Sequence, residues 1–400
     1  MDALRTYSFG CNTFVADALH KRVYATVPAE NGIAIFDVSG APTVTKLFTG
    51  SQPMGLALSP EGDLLFVANN GSTVTGISVV DTETLQVTHT ISTSQFVTSL
   101  AVGKNHVIYA SGTDKLLWIN GDTGAQLGAL GDNSGGYRHE SYGEMAITPD
   151  RDTLVYGVEG GSGALSRFDV SLGAPVLGET ISGGLNGRST ALSPDGANVV
   201  FTTDYNMAVH PVAALASTLG TLIVGAYPEA AVYSPDGNTI YASRYDSDVL
   251  VFNASTFLET DEFSLAFTSS SALVKLGIDS TGKYLFVTTT EQTKIVDLQP
   301  SDEDEPETIA PPVVKIVSPS TPKMTTTRRR IVIKGTASSA VDVQSIECKI
   351  GSLPFKRIGI SSPWHTTVSL RSGTNIIRFR ATDTTGQKSQ MVTLKILLRR

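Results

Sequence analysis

Cysteine is nearly absent: Cys11 and Cys348 are the only two in 400 residues. They lie far apart, which excludes a disulfide framework and any cysteine-rich zinc module. No apolar run approaches the roughly 20 residues of a membrane-crossing helix, so no membrane span is expected. No basic-then-apolar leader opens the chain, so no signal peptide is read. The phosphate-cradling pattern G-x-x-x-x-G-K-[ST] is missing. GIDSTGK at 277–283 comes near it, but Tyr284 follows and the stretch reads as a hairpin turn. A G-x-S-x-G nucleophile elbow and a C-x-x-C-H haem attachment are missing too. Charged residues are only 17%, beside 37 Gly and 18 Pro, which favours strands and turns over long solvated helices. What is plentiful is apolar side chains, 41%, enough for a sizeable core.

Basic residues are scarce in the first three quarters. Residues 1–300 hold 30 acidic and 14 basic side chains. Asp302, Glu303, Asp304, Glu305 and Glu307 follow without a single base, and residues 312–400 then hold 16 basic against 3 acidic. Two domains of opposite sign are therefore expected on either side of an acidic linker, 301–311, punctuated by proline. The simplest use of that asymmetry is an intramolecular match of charge. The basic part lacks interleaved aromatics on which bases stack, so no nucleic-acid partner is expected.

Residues 1–300 repeat themselves. MGLALSPEGDLLFVANN returns as STALSPDGANVVFTTD and AAVYSPDGNTIYASRY, with weaker copies around them. One aromatic recurs in every copy: Tyr24, Phe66, Tyr109, Tyr156, Phe201, Tyr241 and Phe286, at intervals of 40 to 47 residues. A polar residue ends a later strand of each copy: Asp37, Asp81, Asn120, Asp169, His210, Asn253 and Asp297. A period near 40–45 with short strands and Ser-Pro-Asp-Gly turns marks a β-propeller. Seven copies predict seven four-stranded blades. The last copy stops one strand short at Leu298, and an orphan strand at 3–9 is predicted to complete it and close the ring. Because that strand starts at Ala3, the chain reads as a segment of a larger polypeptide.

SPEGDLLFVAN (59–69), SPDGANVVFTT (193–203) and SPDGNTIYAS (234–243) resemble the YVTN-type propeller repeat of bacterial and archaeal surface proteins. That resemblance implies an extracellular or cell-surface location. It also brings in the family's haem-d1-type and lactonase-like members.

From Val313 the pattern changes to short alternating strands, clearest in RIVIKG and IIRFRA. Six or more of them in ninety residues predict a small sandwich over 312–400. VSLRSGTNIIRFRATDTTGQKS resembles bacterial Ig-like domains through Leu370, Gly373, Asn375, Ile377, Ala381, Asp383 and Gly386. The resemblance implies a spacer. The fold class is thus all-β: a seven-bladed β-propeller followed by an Ig-like β-sandwich.

Equivalent positions in a propeller point to equivalent places around the ring. One rim position reads Thr13, Gly55, Ser99, Glu144, Ser189, Ala230, Lys275, and the one before it Asn12, Met54, Thr98, Gly143, Arg188, Glu229, Val274. Three residues beyond the recurring aromatic stand Val27, Asn69, Gly112, Glu159, Asp204, Arg244 and Thr289. Ionisable side chains therefore gather in blades four to seven: Glu144, Glu159, Arg188, Asp204, Glu229, Arg244 and Lys275. The long loop 131–142 enters blade four at the same rim and carries Arg138, His139, Glu140 and Tyr142, a composition that suits a ligand lid. Ordinary surface charge is the competing explanation. No catalytic residue is marked by any motif, and no cofactor is expected beyond a divalent cation. Glu144, Glu159, Asp204 and Glu229 are the oxygen donors such an ion would use. The expected partner is a protein or a polar or cationic small ligand at the channel mouth. Two functions follow: a non-catalytic binding or scaffold protein, or a metal-dependent lactonase or other hydrolase.

Overall fold

The computed structural model describes residues 3–71, 75–112, 115–131, 142–159, 163–184, 189–202, 205–225, 227–245, 248–267, 275–299, 311–339, 341–351, 353–360, 362–384 and 386–399. The chain divides into two compact units, Met1–Gln299 and Pro300–Arg400.

Seven four-stranded antiparallel sheets make up the first unit. Six of them run in chain order, as in the first blade: Phe14–Asp17, Arg22–Val27, Gly32–Asp37, Thr43–Phe48. The seventh joins Lys275–Ile278, Tyr284–Thr288 and Thr293–Asp297 to Arg5–Tyr7, from the other end of the chain. Arg5 lies opposite Ile295 and Tyr7 opposite Thr293. The innermost strands are Phe14–Asp17, Pro53–Leu58, Val97–Val102, Tyr142–Ile147, Thr190–Leu192, Pro228–Tyr233 and Lys275–Ile278. Each touches the next, and the last touches the first, so the ring is closed: a seven-bladed β-propeller.

Radial packing explains the hydropathy of each strand. Middle strands are covered on both faces, so Leu64–Asn70 and Val107–Gly112 are almost wholly buried. Outer strands such as Gln86–Ile91 and Glu259–Ser264 are almost wholly exposed and polar. The recurring aromatic fills the gap between blades. Tyr24 packs with Leu56, Leu65 and Val67 of the second blade, and Tyr109 with Leu154, Tyr156 and Phe168 of the fourth. Six of the seven are fully buried, and Tyr241 is half-buried. A large ring removes much apolar area from water, which makes this one position central to cohesion between blades. The repeated polar residue has a local role: Asp37, Asp81, Asn120, Asp169 and Asn253 accept N–H groups two or three residues on and shape the turn after the third strand. His210 at that position is buried and bonds through Nδ1 to the carbonyl of Ser217, 2.9 Å away. The GIDSTGK stretch forms the hairpin turn of the seventh blade, where Asp279 accepts the Tyr284 N–H at 2.6 Å.

The seam between the seventh and first blades is packed by aromatic rings. Phe36 lies 4.9 Å from Phe286 and 5.5 Å from Tyr7, and Phe14 lies 5.7 Å from Phe286. The segment after Tyr7 stays on the last blade: Thr293 donates to the Phe9 carbonyl at 2.8 Å, and the Cys11 N–H donates to Thr288 at 2.9 Å.

The second unit is a two-sheet sandwich. Val313–Ser318, Arg330–Ser338 and Trp364–Ser369 form one sheet. The other contains, in order, Lys323–Thr326, Val392–Leu398, Gly373–Asp383, Val343–Ile350 and Lys356–Gly359. Ile333, Ala337 and Trp364 from the first meet Ile346, Ile377, Phe379 and Ile396 from the second in one core. The Trp364 and Phe379 rings stack 4.9 Å apart.

Candidate functional site

A cavity of about 550 Å³ occupies the propeller axis, and every blade contributes to its wall. The whole rim position lines it: Thr13, Gly55, Ser99, Glu144, Ser189, Ala230 and Lys275. Asn12, Met54, Thr98 and Gly143, one residue earlier, line it as well. On the following residues the wall turns apolar, with Phe14, Leu56, Leu100 and Met145. These four, with Thr13, also border a second cavity of about 510 Å³ beside blades one to four, which adds Asp17, Glu61 and Arg151.

The rim position is a staple between neighbouring blades. Ser99 Oγ accepts the Met145 N–H of the next blade at 3.0 Å. Glu144 Oε2 accepts the Thr190 N–H at 3.0 Å, and Ser189 Oγ accepts the Ala231 N–H at 3.2 Å. Thr13 instead donates its hydroxyl to the Met54 carbonyl, at 2.7 Å. Gly55 has no side chain because the neighbouring strand is too close: a Cβ there would stand 2.8 Å from the Thr98 carbonyl oxygen.

Glu144 performs the staple with one oxygen and reaches further with the other. Its Oε1 accepts from Lys275 Nζ at 2.6 Å. Lys275 belongs to the seventh blade and Glu144 to the fourth, with blades five and six between them, so the ion pair crosses the channel. Lys275 is 16% exposed and Glu144 37%. Sequence register places both residues at the rim and does not show that they reach one another.

The remaining candidates divide. Asn69 is fully buried under Gly50, donates to Ser78 Oγ at 2.9 Å, and is absent from the channel wall. Arg244 pairs with Asp248 and, at 2.7 Å, with Glu262, on the third and outer strands of its own blade. Glu229 is 2% exposed and sits at a bulge, the extra residue between the pairs Pro228–Arg244 and Ala230–Ser243. Such bulges re-aim side chains, and Met54 and Thr98 occupy the same irregularity in blades two and three. Glu159 and Tyr142 end up paired strand to strand, and their side chains lie outside what is described. Arg138, His139, Glu140, Arg188 and Asp204 lie outside the described residues.

One cluster is marked by no sequence motif. On the turn side of blades two and three, His106 bonds Asp122 at 2.6 Å through Nδ1 and Glu61 at 2.9 Å through Nε2. Asp122 first, then Glu61, holds the imidazole above its ordinary pKa. Glu61, Asp63 and His106 present ligand atoms within 4.8 Å of one another. An imidazole using both nitrogens as donors to carboxylates has no lone pair left for a metal. His20 repeats the arrangement at the junction of blades one and two, between Asp17 at 2.8 Å and Glu83 at 3.2 Å. The signal was His in the turn of one copy with a carboxylate in the turn of its neighbour.

Fold and channel together define a β-propeller protein with an appended β-sandwich. No protein-family model matches the chain, and no curated protein matches it. Among solved structures the chain is similar to Kuenenia stuttgartiensis hydrazine synthase, at 14% identity with a TM-score of 0.58. The similarity covers 72% of this chain and 95% of that one. At that identity the likeness concerns the fold alone. No helix among the described residues is long and apolar enough to cross a membrane.

Proposed function

We propose that the protein is a non-catalytic binding protein, secreted or held at a cell surface, with a YVTN-type propeller whose channel takes a small polar ligand. The sandwich serves as an Ig-like spacer. The observation that carries this reading is the structural use of Glu144, whose two oxygens accept from Lys275 and from the Thr190 N–H. A hydrolase of the lactonase kind needs several carboxylates converging on a metal ion, and among the described residues Glu144 is the single carboxylate of the channel wall. Ser99 and Ser189 accept backbone N–H groups and so each keep a hydroxyl proton to donate. With Glu144 and Lys275 paired, the described wall suits a ligand that is uncharged and hydroxyl-rich, or that carries both charges itself.

Thermal shift against polyols, sugars, zwitterions and divalent ions tests this, beside a metal assay and a lactone turnover assay. A polar organic ligand should raise the melting temperature, as saturation at about 100 Kd adds roughly 2.7 kcal/mol. Lys275→Met should abolish the shift. A stoichiometric divalent ion accompanied by lactone turnover would replace this reading with the hydrolase.

A further inference from the structure

The outward face of the sandwich's five-stranded sheet is a grid of cations. Strand register sets its rows, because residues two apart share a face and opposed residues stand side by side. In one row Arg380 lies opposite Glu347, which lies opposite Arg357. In the next, Lys349 lies opposite Arg378. In the third, Lys323 lies opposite Lys395. The intervening Cys348, Phe379, Leu394 and Ile396 are buried, so the six cations and Glu347 share the wet side.

Folding does not require this arrangement. Like charges directly opposite one another destabilise a sheet, and two such pairs stand here in adjacent rows. Only Arg380 has an ion-pair partner among the described residues, Glu347 at 2.6 Å. Phe355 fixes two of the heads: the Arg380 guanidinium lies 3.9 Å above its ring and Lys349 Nζ 5.3 Å away. Phe355 is therefore covered by cations and offers no platform for a base to stack on, which disfavours single-stranded nucleic acid. Neighbouring strands are about 4.8 Å apart and alternate residues roughly 7 Å apart, so the charges stand in successive rows across one face.

We infer that this face is a docking surface for a linear anionic polysaccharide, one that bears a carboxylate or sulfate on successive sugars. Rows of separated positive charges on an open sheet face complement an extended chain of separated negative ones. A compact anion would call for a pocket instead.

Retention of the full chain on immobilised alginate tests this, eluting with salt. Single-stranded poly(dT) and anionic lipid vesicles run in parallel. The wild type should bind alginate and release it as salt rises. Lys349→Gln/Arg378→Gln/Lys395→Gln should lower affinity by roughly tenfold or more and leave the melting temperature equal or higher, because repulsion is relieved. Lys315→Gln/Arg330→Gln/Lys334→Gln, on the strands of the other sheet, removes the same charge and should change little. Equal losses in both triple variants would show a response to net charge alone and overturn the inference. So would absence of alginate binding, or tighter binding to poly(dT) or to vesicles.

Discussion

Glu144 combines two jobs. One carboxylate oxygen replaces the serine hydroxyl that staples blades at equivalent positions, and the other reaches Lys275 across the channel. Glu144→Gln keeps an acceptor for the Thr190 N–H and loses the charge partner. Lys275→Met leaves a carboxylate with no cation. Each should cost about 1–2 kcal/mol by denaturant unfolding, with Glu144→Ala worse than Glu144→Gln. Gly55 tests the staple from the other side. Gly55→Ser restores the hydroxyl found in neighbouring copies, yet drives its Cβ into the Thr98 carbonyl. It should therefore destabilise by about 1–3 kcal/mol. The thiols give a pH prediction. Burial pushes Cys11 up to about 12 and Cys348 up to about 11, from an ordinary value of 9.0. The unfolded chain releases these protons first, so stability is full below about pH 9 and falls as pH rises toward 11–12. Melting temperature against pH should show that decline, and iodoacetamide should label neither cysteine in the native protein at pH 8.

The turn between first and second strands shows how far an element was legible. Gly announces it in four copies, two of them Ser-Pro-Asp-Gly, and Gly62, Gly196, Gly237 and Gly282 take φ of +72 to +77°. The turn aspartates are acidified by the same geometry: Ser193 Oγ to Asp195, and Ser234 Oγ to Asp236, each with backbone N–H groups, lower the carboxyl pKa. The first copy lacks the signature because Lys21 occupies the left-handed position at φ +52°. Lys21→Gly should raise stability by about 0.5–1 kcal/mol, since glycine bears no Cβ penalty there. Arg151 sits likewise at φ +61°, but donates Nη1 to the Val102 carbonyl at 2.5 Å. Arg151→Gly should therefore gain less than Lys21→Gly in the same melting experiment. Legibility ended where the side chain, not the backbone type, chose the partner. Arg244 stands at the repeat offset expected at the rim, yet Asp248 and Glu262 hold it against the third and outer strands of its own blade.

At the scale of the molecule the ring depends on three residues from the far end of the chain. Arg5–Tyr7 covers the open edge of Thr293–Asp297, and Tyr7, Phe9, Phe14, Phe36 and Phe286 pack the seam. Deleting residues 1–9 uncovers a sheet edge and removes two of those rings. It should sharply lower the melting temperature and promote aggregation, measured by light scattering against the intact chain. Sequence alone determined the number of blades, the place of closure and the one repeat position, Thr13 to Lys275, that lines the channel in every blade. Each follows from local periodicity, because a propeller repeats the same local physics seven times. Tertiary structure alone decided which rim residues meet: Lys275 and Glu144 are 131 positions apart and belong to no common repeat. It also decided that six cations of the sandwich share one face, since strand order and register, not spacing along the chain, set their neighbours.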